Sequence, residues 1–90
     1  MLLATPIILH ALDDQITKCT IIVDQEDYPI VGVALHLEGT SNGAVSDLDG
    51  RVCLTGAPDA YVVITHLGYQ SERIQLKDLP AKVYLIEDDD

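Results

Sequence analysis

The sequence has no tryptophan and no phenylalanine, and four tyrosines are its only aromatic residues. Any core must therefore be aliphatic, because valine, leucine and isoleucine supply the remaining large apolar side chains. Hydrophobic residues still make up 48% of the chain, which is too many for a disordered segment. A chain of 90 residues usually forms a single domain with one modest core, so we expect one domain.

Basic residues are also scarce. Five lysines and arginines stand against fifteen aspartates and glutamates, and the formal net charge is −10. A phosphate backbone would be repelled, so nucleic acid is not expected as a partner. Anionic membrane surfaces are disfavoured for the same reason.

Catalytic and metal-binding patterns are missing as well. The three histidines, His10, His36 and His66, show neither His-x-His nor His-x-x-x-His spacing, so no zinc site is expected. There is no Gly-x-Ser-x-Gly motif and no cysteine–histidine arrangement for a nucleophile. The only asparagine, Asn42, lies between predicted strands, which argues against a lysine–asparagine crosslink. We expect no catalytic residues and no cofactor.

No apolar run is long enough to span a membrane as a helix, so direct membrane insertion is not expected. The stretch from Leu2 to Leu12 is apolar but far too short, and it lacks the basic start of an intact signal peptide. Residues 1–15 are either the remnant of a signal peptide or an extra edge strand, since Pro6 is tolerated at a strand edge. Residues 87–90 form an acidic tail, and residues 16–86 form the domain.

Within the domain, apolar residues alternate with other residues over several short stretches. In the clearest one, Val33, Leu35 and Leu37 alternate with Ala34 and His36. A period of two is typical of a strand with one face in a core.

The same pattern predicts seven strands and no helix. Residues 16–23 form the first strand and residues 44–46 a short third one, while the linking segments contain glycine or proline. The fold class is an all-β sandwich with antiparallel strands. The apolar members of the alternating strands predict this core: Ile22, Val33, Leu35, Leu37, Val52, Leu54, Val62, Ile64, Ile74, Leu76, Val83 and Leu85.

If successive strands alternate in direction, the loops after the first, third and fifth strands meet at one end, which is acidic. Asp24, Asp47 and Asp49 would then be candidate ligands for a cation such as Ca²⁺. The full calcium-loop motif is missing, and Asp49-Gly50 fits the turn of a tight hairpin. The hairpin turn is the simpler reading, so we expect no metal site.

Turn and strand markers recur from residue 23 to residue 69 in one order, and together they resemble the carboxypeptidase regulatory-like domain. The resemblance covers roughly residues 20 to 86 and rests on these segments: Val23-Asp24, Pro29-Ile30-Val31-Gly32-Val33, Glu38-Gly39-Thr40, Gly43, Ser46-Asp47-Leu48-Asp49-Gly50-Arg51-Val52 and Thr65-His66-Leu67-Gly68-Tyr69. Three positions depart from the family pattern: Thr20, Asp27 and Val52. The resemblance implies a seven-stranded antiparallel Greek-key β-sandwich of the transthyretin (prealbumin) type.

The resemblance also implies a function. Such domains occur at the N-terminus of TonB-dependent outer-membrane receptors and in other envelope proteins of Bacteroidetes. The expected role is that of a non-catalytic accessory domain, acting by protein contact or as a spacer, in the periplasm, in the outer membrane or at the cell surface. Its partner would be another protein or its own parent chain, and the isolated domain would be a monomer. The alternative is a transthyretin-like carrier that oligomerises around small apolar ligands.

An enzymatic version of the fold is not expected. Transthyretin-like hydroxyisourate hydrolases end in Tyr-Arg-Gly-Ser, whereas this chain ends its last predicted strand with Tyr84-Leu85-Ile86-Glu87.

The transthyretin-like arrangement further implies a disulfide between Cys19 and Cys53. The first and fourth strands are neighbours in that arrangement, and both cysteines stand next to core positions, hence on the same outer face. An envelope location would be oxidising enough to close the bridge. The alternative is a pair of free thiols.

Overall fold

The computed structural model describes residues 14–88, which fold into two β-sheets. Its elements in chain order are β1 (Ile16–Val23), β2 (Ala34–Leu37), β3 (Gly43–Val45), β4 (Arg51–Gly56), β5 (Tyr61–Thr65), β6 (Glu72–Gln75), a 3-10 turn (Leu76–Asp78) and β7 (Lys82–Tyr84). His10 and the choice between signal-peptide remnant and edge strand lie outside the described residues. The last two residues of the acidic tail lie outside them too.

The predicted all-β class is confirmed, with one sheet in the order β4-β1-β7 and the other in the order β3-β2-β5-β6. The prediction that all strands pair antiparallel is wrong for β7, which runs parallel to β1. Residues 76–81 cross from the four-stranded sheet to the three-stranded sheet before β7 begins, so β7 enters in the direction of β1. The amide of Leu85 continues this pairing by donating to the carbonyl oxygen of Val23 at 2.9 Å.

The core lies between the two sheets and is aliphatic, as the sequence predicts. Every residue of the predicted core is buried except Ile74, which is partly buried against it. Two further apolar side chains are buried that the alternation did not include, Val23 and Leu79.

The end of the sixth strand differs from the prediction. The alternation of Ile74 and Leu76 predicts a strand through both, but β6 ends at Gln75 and the backbone then forms the 3-10 turn. The Leu76 amide donates to the carbonyl oxygen of Ala60 at 2.8 Å. The turn buries both Leu76 and Leu79, so the expectation of no helix is corrected to one short 3-10 turn.

Within residues 14–88, no helix combines the length and the apolar character needed to cross a membrane.

Candidate functional site

Four segments meet at one end of the two sheets, and we call this the loop end. They are residues 24–33 after β1, residues 46–50 after β3, residues 66–71 after β5 and residues 85–88 after β7. Strand register places them together, since Ile21 lies opposite Arg51 and Ala34 lies opposite both Val45 and Thr65.

Backbone hydrogen bonds join these four segments in two pairs. The Gly32 amide donates to the carbonyl oxygen of Ser46 at 3.0 Å, which links the first two segments. The Gln70 amide donates to Ile86 at 2.8 Å, and the Asp88 amide donates to Gly68 at 2.9 Å. Residues 24–26 and Glu87 line one pocket, which connects the two pairs into a single surface.

Two aspartates shape the turns at this end. One carboxylate oxygen of Asp24 accepts from the amides of Glu26 and Tyr28, at 2.8 and 3.0 Å. One carboxylate oxygen of Asp47 likewise accepts from the amides of Asp49 and Arg51, both at 2.9 Å. Such side-chain-to-backbone bonds hold a turn in one conformation.

These bonds bear on the candidate cation ligands Asp24, Asp47 and Asp49. Asp24 and Asp47 cap their own turns, and Gly50 closes the second turn with a positive φ of 77°. Among the residues that the structure describes, no group of three or more histidine, cysteine, aspartate or glutamate side chains is placed to hold a metal ion. The structure thus has a turn at Asp47–Gly50, but the prediction of a tight hairpin there is wrong, because β3 and β4 on either side of the turn lie in different sheets.

Ser46 is a structural residue of the loop end that the sequence analysis did not single out. It is buried, and its hydroxyl accepts from the Val33 amide at 2.9 Å and donates to the carbonyl oxygen of Ile30 at 2.7 Å. The hydroxyl thereby fastens residues 30–33 to the turn after β3. Its signal in the sequence is a small polar residue at an inward-facing position, two residues after Ala44.

Large apolar side chains are exposed at the tips of these loops. Leu48 is 82% exposed and Leu67 is 97% exposed. Each is the second residue of a turn, closed by hydrogen bonds from Gly50 to Asp47 at 2.9 Å and from Tyr69 to His66 at 3.1 Å. Three more apolar residues are exposed in the same four segments: Tyr28, Val31 and Ile86.

Carboxylates surround these apolar tips. The four segments contain Asp24, Glu26, Asp27, Asp47, Asp49, Glu87 and Asp88. The two basic residues next to them are Arg51 and Lys82. Lys82 is paired with Asp27 at 3.0 Å, and this hydrogen bond raises the pKa of the Lys82 ammonium above its ordinary value. The loop end is therefore both apolar at its tips and strongly acidic.

The two described histidines are separate from each other. His36 is exposed on β2, and its Nε2 lies 2.8 Å from the carbonyl oxygen of Thr40. His66 is half-buried at the loop end, with its ring centroid 5.8 Å from that of Tyr69. The structure thus places them on different parts of the molecule.

The two cysteines face each other on the outer face of the three-stranded sheet. Cys19 in β1 is the register partner of Cys53 in β4, with the Cα atoms 4.0 Å apart and an S–S distance of 1.99 Å. Both residues are exposed, so the bridge lies on the surface and outside the core.

The outer face of the four-stranded sheet carries an ion pair. Arg73 donates to both carboxylate oxygens of Glu38, at 2.7 and 2.9 Å, and its guanidinium carbon lies 3.7 Å from the centroid of the Tyr61 ring. The hydrogen bond from Arg73 holds the pKa of Glu38 below its ordinary value. Because the Arg73 guanidinium is hydrogen-bonded to Glu38 and stacked on Tyr61, we assign this cluster a structural role.

Comparison with known proteins shows that this all-β chain is similar in sequence to small segments of two much larger receptors. It is 32% identical over 78 residues to TonB-dependent receptor P39 of Formosa agariphila, which covers 86% of this chain and 8% of that protein. It is 29% identical over 66 residues to TonB-dependent receptor SusC of Bacteroides thetaiotaomicron, which covers 73% of this chain and 7% of that protein. No protein-family model matches the chain.

The chain therefore spans less than a tenth of the length of the curated relatives it matches. Its similarity is to one segment of a TonB-dependent receptor. The resemblance to the carboxypeptidase regulatory-like domain stays a prediction.

Proposed function

We propose that residues 16–86 form a non-catalytic accessory domain of a TonB-dependent receptor or a related envelope protein, and that the domain acts by contact with other protein. The main support for the proposal is the similarity to TonB-dependent receptor P39, which covers 86% of this chain and 8% of that receptor. A segment of that size has room for one small domain beside the rest of a receptor.

The proposed fold is the Greek-key sandwich of the carboxypeptidase regulatory-like domain. Two stacked sheets of three and four strands around an aliphatic core support it, as do the turns at Asp47–Gly50 and His66–Tyr69. A position in the periplasm, in the outer membrane or at the cell surface agrees with the receptor similarity, and the chain would come from a Bacteroidetes bacterium. In that oxidising compartment the bridge between Cys19 and Cys53 would be closed.

The non-catalytic role is supported by the hydrogen bonds of the polar side chains, which hold turns and loops in place. The carboxylates of Asp24 and Asp47 cap turns, the Ser46 hydroxyl fastens a loop, and Arg73 is bound to Glu38. These groups hold the fold, and fold alone does not assign an activity. We further propose that the isolated domain is a monomer, whereas the carrier alternative requires an oligomer.

Deletion of residues 16–86 from the full-length parent protein tests the proposal. We expect the deletion to lower either the amount of receptor assembled in the outer membrane or the uptake that the receptor supports. A parent protein whose assembly and uptake are unchanged by the deletion would refute the accessory role. The purified chain should also sediment as a monomer and turn over no substrate, and a stable dimer or tetramer would favour the carrier.

A further inference from the structure

We propose that the loop end is a docking surface for a protein segment carrying lysine or arginine together with apolar side chains. This inference rests on the proposed function, because it names the kind of partner that the accessory domain would contact. The two anchors on this side are Leu48 and Leu67, which are 82% and 97% exposed.

The exposed leucines are held in place rather than left on free chain. Each occupies the second position of a hydrogen-bonded turn, and the Asp47 carboxylate further fixes the turn of Leu48. The turn of Leu67 is tied through Gly68 to Asp88. A backbone that is already held in turns loses little further conformational freedom when a partner covers the two leucines, so binding there has a lower entropic cost.

The opposite end of the molecule does not share this character. There the turn between β2 and β3 is Glu38-Gly39-Thr40-Ser41-Asn42, and it is polar throughout. The large exposed apolar side chain nearest to that turn is Tyr61, whose ring is covered by Arg73. In the described part of the chain, the largely exposed leucines therefore lie at the loop end.

Charge selects the occupant. The carboxylates of the four segments outnumber the two neighbouring basic residues, and one of these, Lys82, is already bound to Asp27. A basic partner is favoured because complementary potentials steer association. Anionic lipid and nucleic acid would be repelled. A second copy in a symmetric dimer would set the same acidic surface against itself.

The test is a titration of the isotope-labelled 90-residue chain with synthetic peptides, followed by backbone amide NMR. Three probes of equal length carry lysine and leucine, lysine and serine, or glutamate and leucine. We expect saturable shifts with the lysine–leucine peptide alone, confined to residues 24–33, 46–50, 66–71 and 85–88. Binding should weaken about tenfold or more as salt is raised to about 0.5 M, because screening weakens exposed charge pairs.

Variants separate the two contributions. Leu48→Ser with Leu67→Ser should weaken binding about tenfold or more by removing the anchors. Glu26→Gln with Asp49→Asn should also weaken binding, whereas the matched control Asp59→Asn with Asp78→Asn removes two carboxylates elsewhere and should leave it unchanged. Backbone NMR spectra that match the parent chain outside the substituted loops would confirm that each variant is folded.

Several results would overturn the docking proposal. With peptides, these are binding of the lysine–serine peptide as tight as that of the lysine–leucine peptide, or chemical-shift changes spread over the sheet faces. With variants, it is a control variant that weakens binding as much as the loop-end variants do. Without peptide, these are concentration-dependent shifts at the loop end, or binding to vesicles rich in phosphatidylglycerol. The docking proposal can also fail alone. If deleting residues 16–86 impairs the parent receptor while Leu48→Ser with Leu67→Ser leaves it fully active, the accessory function stands and the docking surface does not.

Discussion

Thr20 is a polar side chain buried beside the aliphatic core. It is 2% exposed, it lies opposite Val52 in the strand pair of β1 and β4, and its hydroxyl has no hydrogen-bond partner within residues 14–88. A buried polar group without a partner costs free energy, because folding removes it from water without replacing the lost hydrogen bond.

We therefore predict that Thr20→Val raises the free energy of unfolding by about 1 kcal/mol, since valine has nearly the same shape and no hydroxyl. Thr17→Val is the matched control on the same strand. Thr17 is exposed and its hydroxyl lies 2.7 Å from that of Thr55, so the change there should stay within about 0.5 kcal/mol. Urea unfolding measures both, and a destabilised Thr20→Val variant would contradict the prediction.

Glu38 provides a second prediction at the scale of the residue. The hydrogen bond from Arg73 lowers the pKa of Glu38 in the folded state. The pair therefore contributes stability above the unfolded-state pKa and loses it as the pH falls through the lower, folded-state pKa. Carbon NMR of the Glu38 carboxyl group should give a midpoint below its ordinary value, and Arg73→Gln should raise that midpoint. An unchanged midpoint in the variant would show that Arg73 is not the cause.

At the scale of the element, the turns at the loop end depend on close backbone contact. Gly50 has a φ of 77°, and a Cβ placed there would lie 2.5 Å from the carbonyl oxygen of Ile22 and 3.1 Å from Cβ of Pro29. Gly39 has a similar φ of 79°, but a Cβ there would meet nothing within 4 Å. An alanine at either position would strain the backbone equally, but only at Gly39 is there space for its side chain.

We predict that Gly39→Ala costs about 1–2 kcal/mol of unfolding free energy, which is the usual cost of placing a side chain in the left-handed region. Gly50→Ala should cost clearly more, because Ile22 and Pro29 would have to move as well. Thermal or urea unfolding of the two variants gives the comparison. Equal costs at the two positions would show that the space around Gly50 can open freely.

The disulfide links the two elements β1 and β4, and its cysteines are 34 positions apart in sequence. Closing a loop of this size restricts the unfolded chain, so reduction should lower the free energy of unfolding by about 3–4 kcal/mol. Intact-mass measurement of the oxidised chain, with and without reductant, should show a gain of two hydrogens on reduction. Two thiols that alkylate without reductant would contradict a closed bridge in the purified protein.

How far the sequence predicts the structure can be seen in particular strands. Val33, Leu35 and Leu37 are two residues apart and all three are buried. Residues two apart on a strand lie on the same face of the sheet, so the alternation predicts which face is covered. The same period carries no information about strand direction, so the parallel pairing of β7 with β1 could not be read from it. Leu76 continues the apolar alternation of β6 but lies in the 3-10 turn. An apolar residue can be buried from a strand or from a turn, so the alternation alone could not tell them apart.

The candidate site was predictable in outline. Alternating strand directions predicted that the loops after β1, β3 and β5 meet, and they do. The exposure of Leu48 and Leu67 was not predicted, because the position of an apolar residue in a loop does not show whether its side chain is covered. Ser46 was missed since its two hydrogen bonds depend on a loop thirteen or more residues away along the chain.

The whole molecule consists of two sheets with an acidic and apolar loop end, and it is similar to one small segment of TonB-dependent receptors. A domain in such a position could act by contact or merely as a spacer. The two roles differ in what they require of the surface. A spacer needs only size and stability, whereas a contact domain needs its own side chains at the surface.

Substrate uptake by the parent receptor, with residues 16–86 replaced by an unrelated β-sandwich domain of similar size, tests contact most directly. The replacement keeps the spacing and removes the loop end except for residues 87 and 88. We predict that uptake, measured at equal receptor level in the outer membrane, falls to that of the strain lacking residues 16–86. Uptake restored to the parental rate would contradict a role in protein contact and leave the domain as a spacer.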